Sequence, residues 1–111
     1  MQVDFKTKKL RKQLTQKKEL QKLGDKRSKK VMLRLTQIEA ADNLTVLKTL
    51  PGTRLHPLKG NRKGQFSVDL DHPYRLLFEA DHNPVPSLES GGYDWNRITK
   101  VKILEIADTH E

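Results

Sequence analysis

The densest collection of groups able to do chemistry is Arg54-Leu55-His56-Pro57-Leu58-Lys59-Gly60-Asn61-Arg62-Lys63-Gly64-Gln65. It joins fixed positive charge at Arg54, Lys59, Arg62 and Lys63 to one titratable ring, His56, and to two glycines that let backbone approach a ligand closely. Alone, the segment reads either as a solvated basic loop or as a phosphate-binding turn. Arg75 adds a cation inside the apolar stretch Tyr74–Phe78. A buried arginine without an anion is costly. Arg75 must therefore face solvent, pair with Glu79 or a carboxylate across a sheet, or clamp a phosphate. Asp108 and His110 follow an apolar stretch near the end of the sequence, where a sheet could carry His110 beside the basic turn. An imidazole titrates near neutral pH, so His56 and His110 are candidates for proton transfer. The plainer readings are a packed ring at His56 and a polar chain end at His110. His72 and His82 fall in turn and loop positions and are assigned no role.

Several chemistries are disfavoured. The sequence has no HxH or HExxH pattern and no carboxylate cluster at ligand spacing, so neither a metal nor another cofactor is expected. No serine stands in a nucleophile-elbow context. What remains needs only proton transfer and positive charge. Attack of a ribose 2′-hydroxyl on its own neighbouring phosphate is such a reaction, because RNA supplies the nucleophile.

Charge points the same way. Lys and Arg number 22 against 14 Asp and Glu, a net of +8. Residues 1–30 carry twelve basic and three acidic side chains, whereas residues 64–111 carry four basic and nine acidic ones. A positive region of this kind suits a polyanion, since neutralising phosphates releases counterions; a solvated basic helix is the alternative. Cysteine is absent, which excludes disulfides and thiolate metal sites and is compatible with a reducing cytosol. Met1–Leu10 has no apolar core of a signal peptide, and no apolar run reaches membrane-spanning length, so a soluble cytoplasmic protein is expected.

The 111 residues suit one domain. Gln2–Phe5 is predicted as a first strand. Thr7 opens a helical stretch with Leu10, Leu14, Leu20 and Leu23 roughly on one side, stopped at Gly24. Asp25 is the expected N-cap of a second helix, which runs to about Asp42 with Val31, Leu35 and Ile38 as its stripe. Together they read as an antiparallel helical hairpin over about 7–42. Asn43–Gly52 is transitional, either a last helical turn or a buried loop. Beyond Arg54 the period becomes two. Phe66, Val68 and Leu70, a turn at Asp71-His72-Pro73, then Tyr74, Leu76 and Phe78 predict a β-hairpin. Ala80–Asn96 reads as a long loop. Ile98–Ala107 is apolar on both faces, as central strands usually are. The fold class is α+β, helices on one face of a mainly antiparallel sheet over about 54–111.

The residues also carry a resemblance. Arg54–Val68 resembles the LHPLKGxRxGxWSI segment of the HigB branch of RelE/ParE-type toxins. Tyr74-Arg75-Leu76-Leu77-Phe78 is similar to that family's WRIxF strand, and Val101–His110 to a closing strand that typically ends in Asp-Tyr-His. The resemblance spans about Lys9 to His110 and is most specific in Arg54–Val68. It implies two helices on a twisted antiparallel sheet, and metal-independent cleavage of messenger RNA on the ribosome with growth arrest. It also implies inhibition by a cognate antitoxin, usually a helix-turn-helix protein through which alone operator DNA would be met. By position it makes His56, Asp108 and His110 active-site candidates. It sets Arg75 on the family's strand arginine, and Lys59, Arg62 and Lys63, next to Arg54, on its basic turn. Arg54–Gln65, Arg75 and Asp108–His110 are then expected on one concave face. Thr109 departs from the family, which often has Tyr there; an aromatic stacks on a base and Thr does not. Ala80–Asn96 is longer than the family's usual hairpin. The alternatives are a gyrase-inhibiting toxin of the ParE branch and a non-catalytic nucleic-acid-binding relative.

Overall fold

The computed structural model describes residues 1–108. In chain order it has β1 (Gln2–Phe5), α1 (Lys8–Thr15), α2 (Lys17–Gln21), α3 (Asp25–Ala40), α4 (Leu44–Thr49), β2 (His56–Pro57), β3 (Gln65–Asp69), β4 (Tyr74–Ala80) and β5 (Lys100–Asp108), with short 3₁₀ turns at Gly60–Arg62 and Trp95–Arg97. The strands form one five-stranded sheet in the order β1-β5-β4-β3-β2. β1 runs parallel to β5, and the other pairings are antiparallel. β5 is central, with a neighbour on each edge; against expectation it is apolar on one face only, because a bulge opposite Leu77 and Phe78 brings Val101, Ile103 and Ile106 all to the core side and leaves Lys102 and Glu105 on the other.

The expected first helix is two helices. On one continuous helix Leu20 would lie roughly 120° around from Leu14, so the two could not share a stripe. Gln16 turns extended (φ −86°, ψ 126°), the chain bends, and Leu14 and Leu20 are both buried. The boundary of α3 also differs by one residue from expectation. Gly24 takes the cap position at φ 92°, a conformation glycine reaches without strain. Asp25 stands in the first turn, where its charge favours the helix dipole. The transitional stretch is α4, capped by the Asn43 side chain, which accepts from the Val46 N–H at 3.0 Å; Leu44 and Leu47 are fully buried.

The core lies between the helices and one face of the sheet. Phe66 and Val68, Leu76 and Phe78, and Val101 and Ile103 meet Leu14, Leu20, Val31, Leu35, Ile38, Leu44 and Leu47. Strand alternation therefore sends Ser67, Asp69, Arg75 and Leu77 to the other face. The long loop is tied down rather than merely inserted. Ser87 and Tyr93 form a bridge across it, and Tyr93 and Trp95 come back onto Phe66 with ring centroids at 5.1 and 5.6 Å. His82 serves the same loop, its Nε2 accepting from the Thr99 and Lys100 N–H groups at 3.1 and 3.3 Å. No helix among the described residues is long and apolar enough to cross a membrane.

Candidate active site

The face away from the helices carries the candidate groups, and the register places them. His56 on β2 stands opposite Ser67 on β3, and Asp69, two residues along β3, stands opposite Arg75 on β4. Directly opposed residues share a face, so His56, Ser67, Asp69 and Arg75 occupy adjoining positions. Leu77 is opposite both Ser67 and Glu105. Ser67 and Leu77 are fully buried although the helices are on the other side, and Leu58 is buried as well. The basic turn covers part of this face, and Arg62 reaches Glu105 there at 3.5 Å.

The His56 ring is oriented by its neighbours. Nδ1 lies 3.0 Å from the Arg54 carbonyl oxygen, which only accepts, so Nδ1 carries the proton of that bond. Nε2 is then the ring atom with the lone pair, and the Ser67 hydroxyl oxygen lies 3.5 Å from it. Arg54 holds this geometry from a left-handed backbone conformation, φ 44°, which a side chain rarely adopts.

Asp69 gathers the cations. Arg75 Nε is 3.3 Å from Oδ1, and Arg54 Nη1 is 3.6 Å from Oδ2. The Arg75 side chain is 16% exposed, so the anion that its burial demands is supplied from the opposing strand. This is the cross-sheet carboxylate among the partners anticipated for Arg75, and Glu79 stands instead opposite Gln65.

Sequence reasoning missed the residue that fixes the whole corner. Arg34 of α3 is buried. Its Nε donates to the Asp69 carbonyl at 2.6 Å, Nη2 to the Gly52 carbonyl at 2.7 Å and Nη1 to Gln37 Oε1 at 3.0 Å. Burial draws its pKa below the ordinary guanidinium value, and the Asp69 charge acts in the opposite direction. Asp69 N–H in turn donates to the Thr53 carbonyl at 2.9 Å. One side chain thus joins a helix, the 51–53 turn and the end of β3, and Arg54 and His56 follow directly from that turn. Seven residues earlier Arg27 ties the same helix to the β3–β4 turn, at 3.2 Å from Asp71 and 3.6 Å over the Tyr74 ring centroid. The Asp71 carboxylate raises the Arg27 pKa. A signal for Arg34 did exist. It falls three residues after Val31 and four before Ile38, inside the apolar stripe.

Two of the lysines expected at the site lie on the basic turn. Lys59 and Lys63 are exposed on the turn. Asp108 pairs in register with Tyr74, on the helix-covered side of the ladder, whereas Arg75 pairs with Ala107. Asp108 therefore leaves β5 on the face opposite to Arg75, against the expectation of one shared face. His110 and Thr109 lie outside the described residues. Among the described residues no group of three or more His, Cys, Asp or Glu side chains is arranged to hold a metal ion. Most of the positive charge is elsewhere again, on α1 to α3. There an apolar groove of about 570 Å³ is lined by Leu14, Leu20, Met32 and Leu35.

An α+β sheet with helices on one face and a basic turn on the other fits the class of small RelE-like toxins. The family model of the RelE-like toxin of type II toxin-antitoxin systems, HigB, matches residues 3–88. The chain belongs to this HigB-like toxin family, and a toxin of this kind has a cognate antitoxin as partner. The match includes His56, the basic turn and Arg75 and ends before Asp108 and His110. No curated protein matches the chain.

Proposed function

We propose that the protein is a metal-independent, ribosome-dependent endoribonuclease that cuts messenger RNA and arrests translation and growth. The observation that carries this reading is the His56 ring, held with Nε2 as its basic atom on the same face as a guanidinium pair. A binding surface needs the cations but has no use for an oriented base.

In this reading the RNA strand lies across the open face with the scissile phosphate against Arg75 and Arg54. Arg62, Lys59 and Lys63 take flanking phosphates. His56 Nε2 accepts the proton of the ribose 2′-hydroxyl. The 2′-oxygen bonds to the adjacent phosphorus, and the bond from phosphorus to the 5′-oxygen breaks. One product ends in a 2′,3′-cyclic phosphate, and the other begins with a 5′-hydroxyl once its oxygen has taken up a proton. His110 is the proposed donor of that proton. The guanidiniums stabilise the charge that grows on the phosphoryl oxygens. The strongly basic α1–α3 layer, on the other side of the sheet, is suited to the phosphates of ribosomal RNA. The antitoxin is proposed to be a helix-turn-helix protein, which alone would contact operator DNA, and the site of action is the cytoplasm.

The test is brief induction in a bacterial host, followed by mapping of new messenger RNA ends. New 5′-hydroxyl ends confined to translated regions are the expected result. Growth arrest with intact messages and altered DNA supercoiling would instead assign the protein to gyrase inhibition.

A further inference from the structure

The Asp69 carboxylate occupies the place where the proposed nuclease needs an anion of another kind. Its two oxygens face two guanidiniums, Oδ1 at 3.3 Å from Arg75 Nε and Oδ2 at 3.6 Å from Arg54 Nη1. The Asp69 side chain is only 22% exposed, and the Arg54 side chain opposite it is 76% exposed, so the pair opens toward solvent on the Arg54 side. The contacts are loose. Oδ1 is buried yet accepts no aligned hydrogen bond among the described residues, so the approach of Arg75 is an ion pair without directed bonding. A phosphate offers the same guanidiniums oxygens in bidentate geometry, which is the stronger arrangement.

The side chain of Asp69 balances the Arg75 charge, but it is not what anchors the corner. The two contacts by which Asp69 locks the corner come from its backbone: its N–H bonds to the Thr53 carbonyl, and its carbonyl accepts from Arg34. Asparagine at this position would keep both. The charge alone is what the side chain adds, and it lies on the face where RNA would approach.

We propose that Asp69 is an internal competitor for the phosphate site, an affinity-setting residue that holds Arg54 and Arg75 together and shares them with an incoming phosphate. The inference rests on the nuclease reading for the location of that phosphate. Its consequence is selectivity. A short free RNA does not displace the carboxylate effectively, whereas RNA presented with many further contacts does. The arginine pair is thereby shielded from the abundant phosphates of bulk RNA.

The test is equilibrium binding of a short single-stranded RNA oligonucleotide with 2′-O-methyl groups, which binds but is not cut. Asp69→Asn is expected to bind it on the order of tenfold more tightly at low salt, with a steeper salt dependence, because a negative charge next to the phosphate is gone. The gain should vanish when Arg54 and Arg75 are both replaced by alanine. Asp69→Ser, which also keeps the backbone contacts, should show the same gain if asparagine perturbs the fold. Unchanged or weaker binding by folded Asp69→Asn and Asp69→Ser overturns the proposal, as does a gain that survives loss of both arginines. These outcomes do not depend on cleavage. An unmutated protein that fails to cut ribosome-bound message would sink the nuclease reading while leaving the affinity measurement intact.

Discussion

Arg34→Met tests the corner that positions Arg54 and His56. Methionine keeps the unbranched apolar stem within α3 and removes the donors to the Asp69 carbonyl, the Gly52 carbonyl and Gln37 Oε1. Charge-assisted hydrogen bonds contribute about 1.5–3 kcal/mol each. Three of them would sum to about 4.5–9 kcal/mol if nothing offset the loss. Two offsets exist. The buried guanidinium no longer has to be desolvated, a cost visible in its lowered pKa. Gly52 is exposed, so water replaces one lost donor. A net loss of about 3 kcal/mol remains, roughly 10–15 °C in Tm for a domain of this size. Arg34→Lys keeps the charge but offers a single nitrogen, and should fall between the two. The assay is urea denaturation followed by circular dichroism, with the slope of the transition compared between variants. Because the 51–53 turn leads into His56, RNA cleavage should fall even where the variant is still folded. A loss under about 1 kcal/mol with full cleavage would show that the turn is held by its own backbone and by Thr53, and that Arg34 is dispensable.

Arg75→Ala should lower the rate of cleavage of ribosome-bound message about a hundred- to a thousandfold and abolish growth arrest, with the circular dichroism spectrum unchanged; full arrest would make the role of Arg75 structural. Gly52→Ala should destabilise by about 1–2 kcal/mol in a thermal melt. Gly52 sits at φ +77°, and an added Cβ would come within 3.0 Å of Arg34 Nη2. Asp4 gives a pH prediction. Its carboxyl is held below the usual carboxylate range by the Phe5 N–H first and by Arg11 second. A depressed folded pKa means that the stabilisation is present above the unfolded value and is lost as pH falls through the folded one. The Tm difference between Asp4→Asn and the parent should therefore be present at neutral pH and disappear in acid; a constant difference would remove the carboxylate as its cause.

Much of the architecture was legible because it is written in local patterns. Alternation from Phe66 to Phe78 marked the hairpin and the face it buries, and the apolar run in Ile98–Ala107 marked the central strand, though its reading as apolar on both faces came from a bulge that breaks the alternation. The basic turn around His56 was visible as a cluster, since its residues are consecutive. Periodicity also contained the break at Gln16, because Leu14 and Leu20 are six residues apart and cannot share one helical stripe; the bend itself had to be seen in three dimensions. Tertiary structure alone decided which polar groups meet. Arg75 could have paired with several carboxylates, and the register of β3 against β4 chose Asp69. Arg34 found its acceptors on two segments 18 and 35 residues away, a match that depends on how α3 lies on the sheet. Asp108 was assigned to the site by its match to the family's closing strand, and the register of β5 against β4 sets it opposite Tyr74, one residue beyond the position that faces Arg75. Residue patterns fix which face a side chain takes within its own element, whereas the partner across a gap is set by packing between elements distant in the chain.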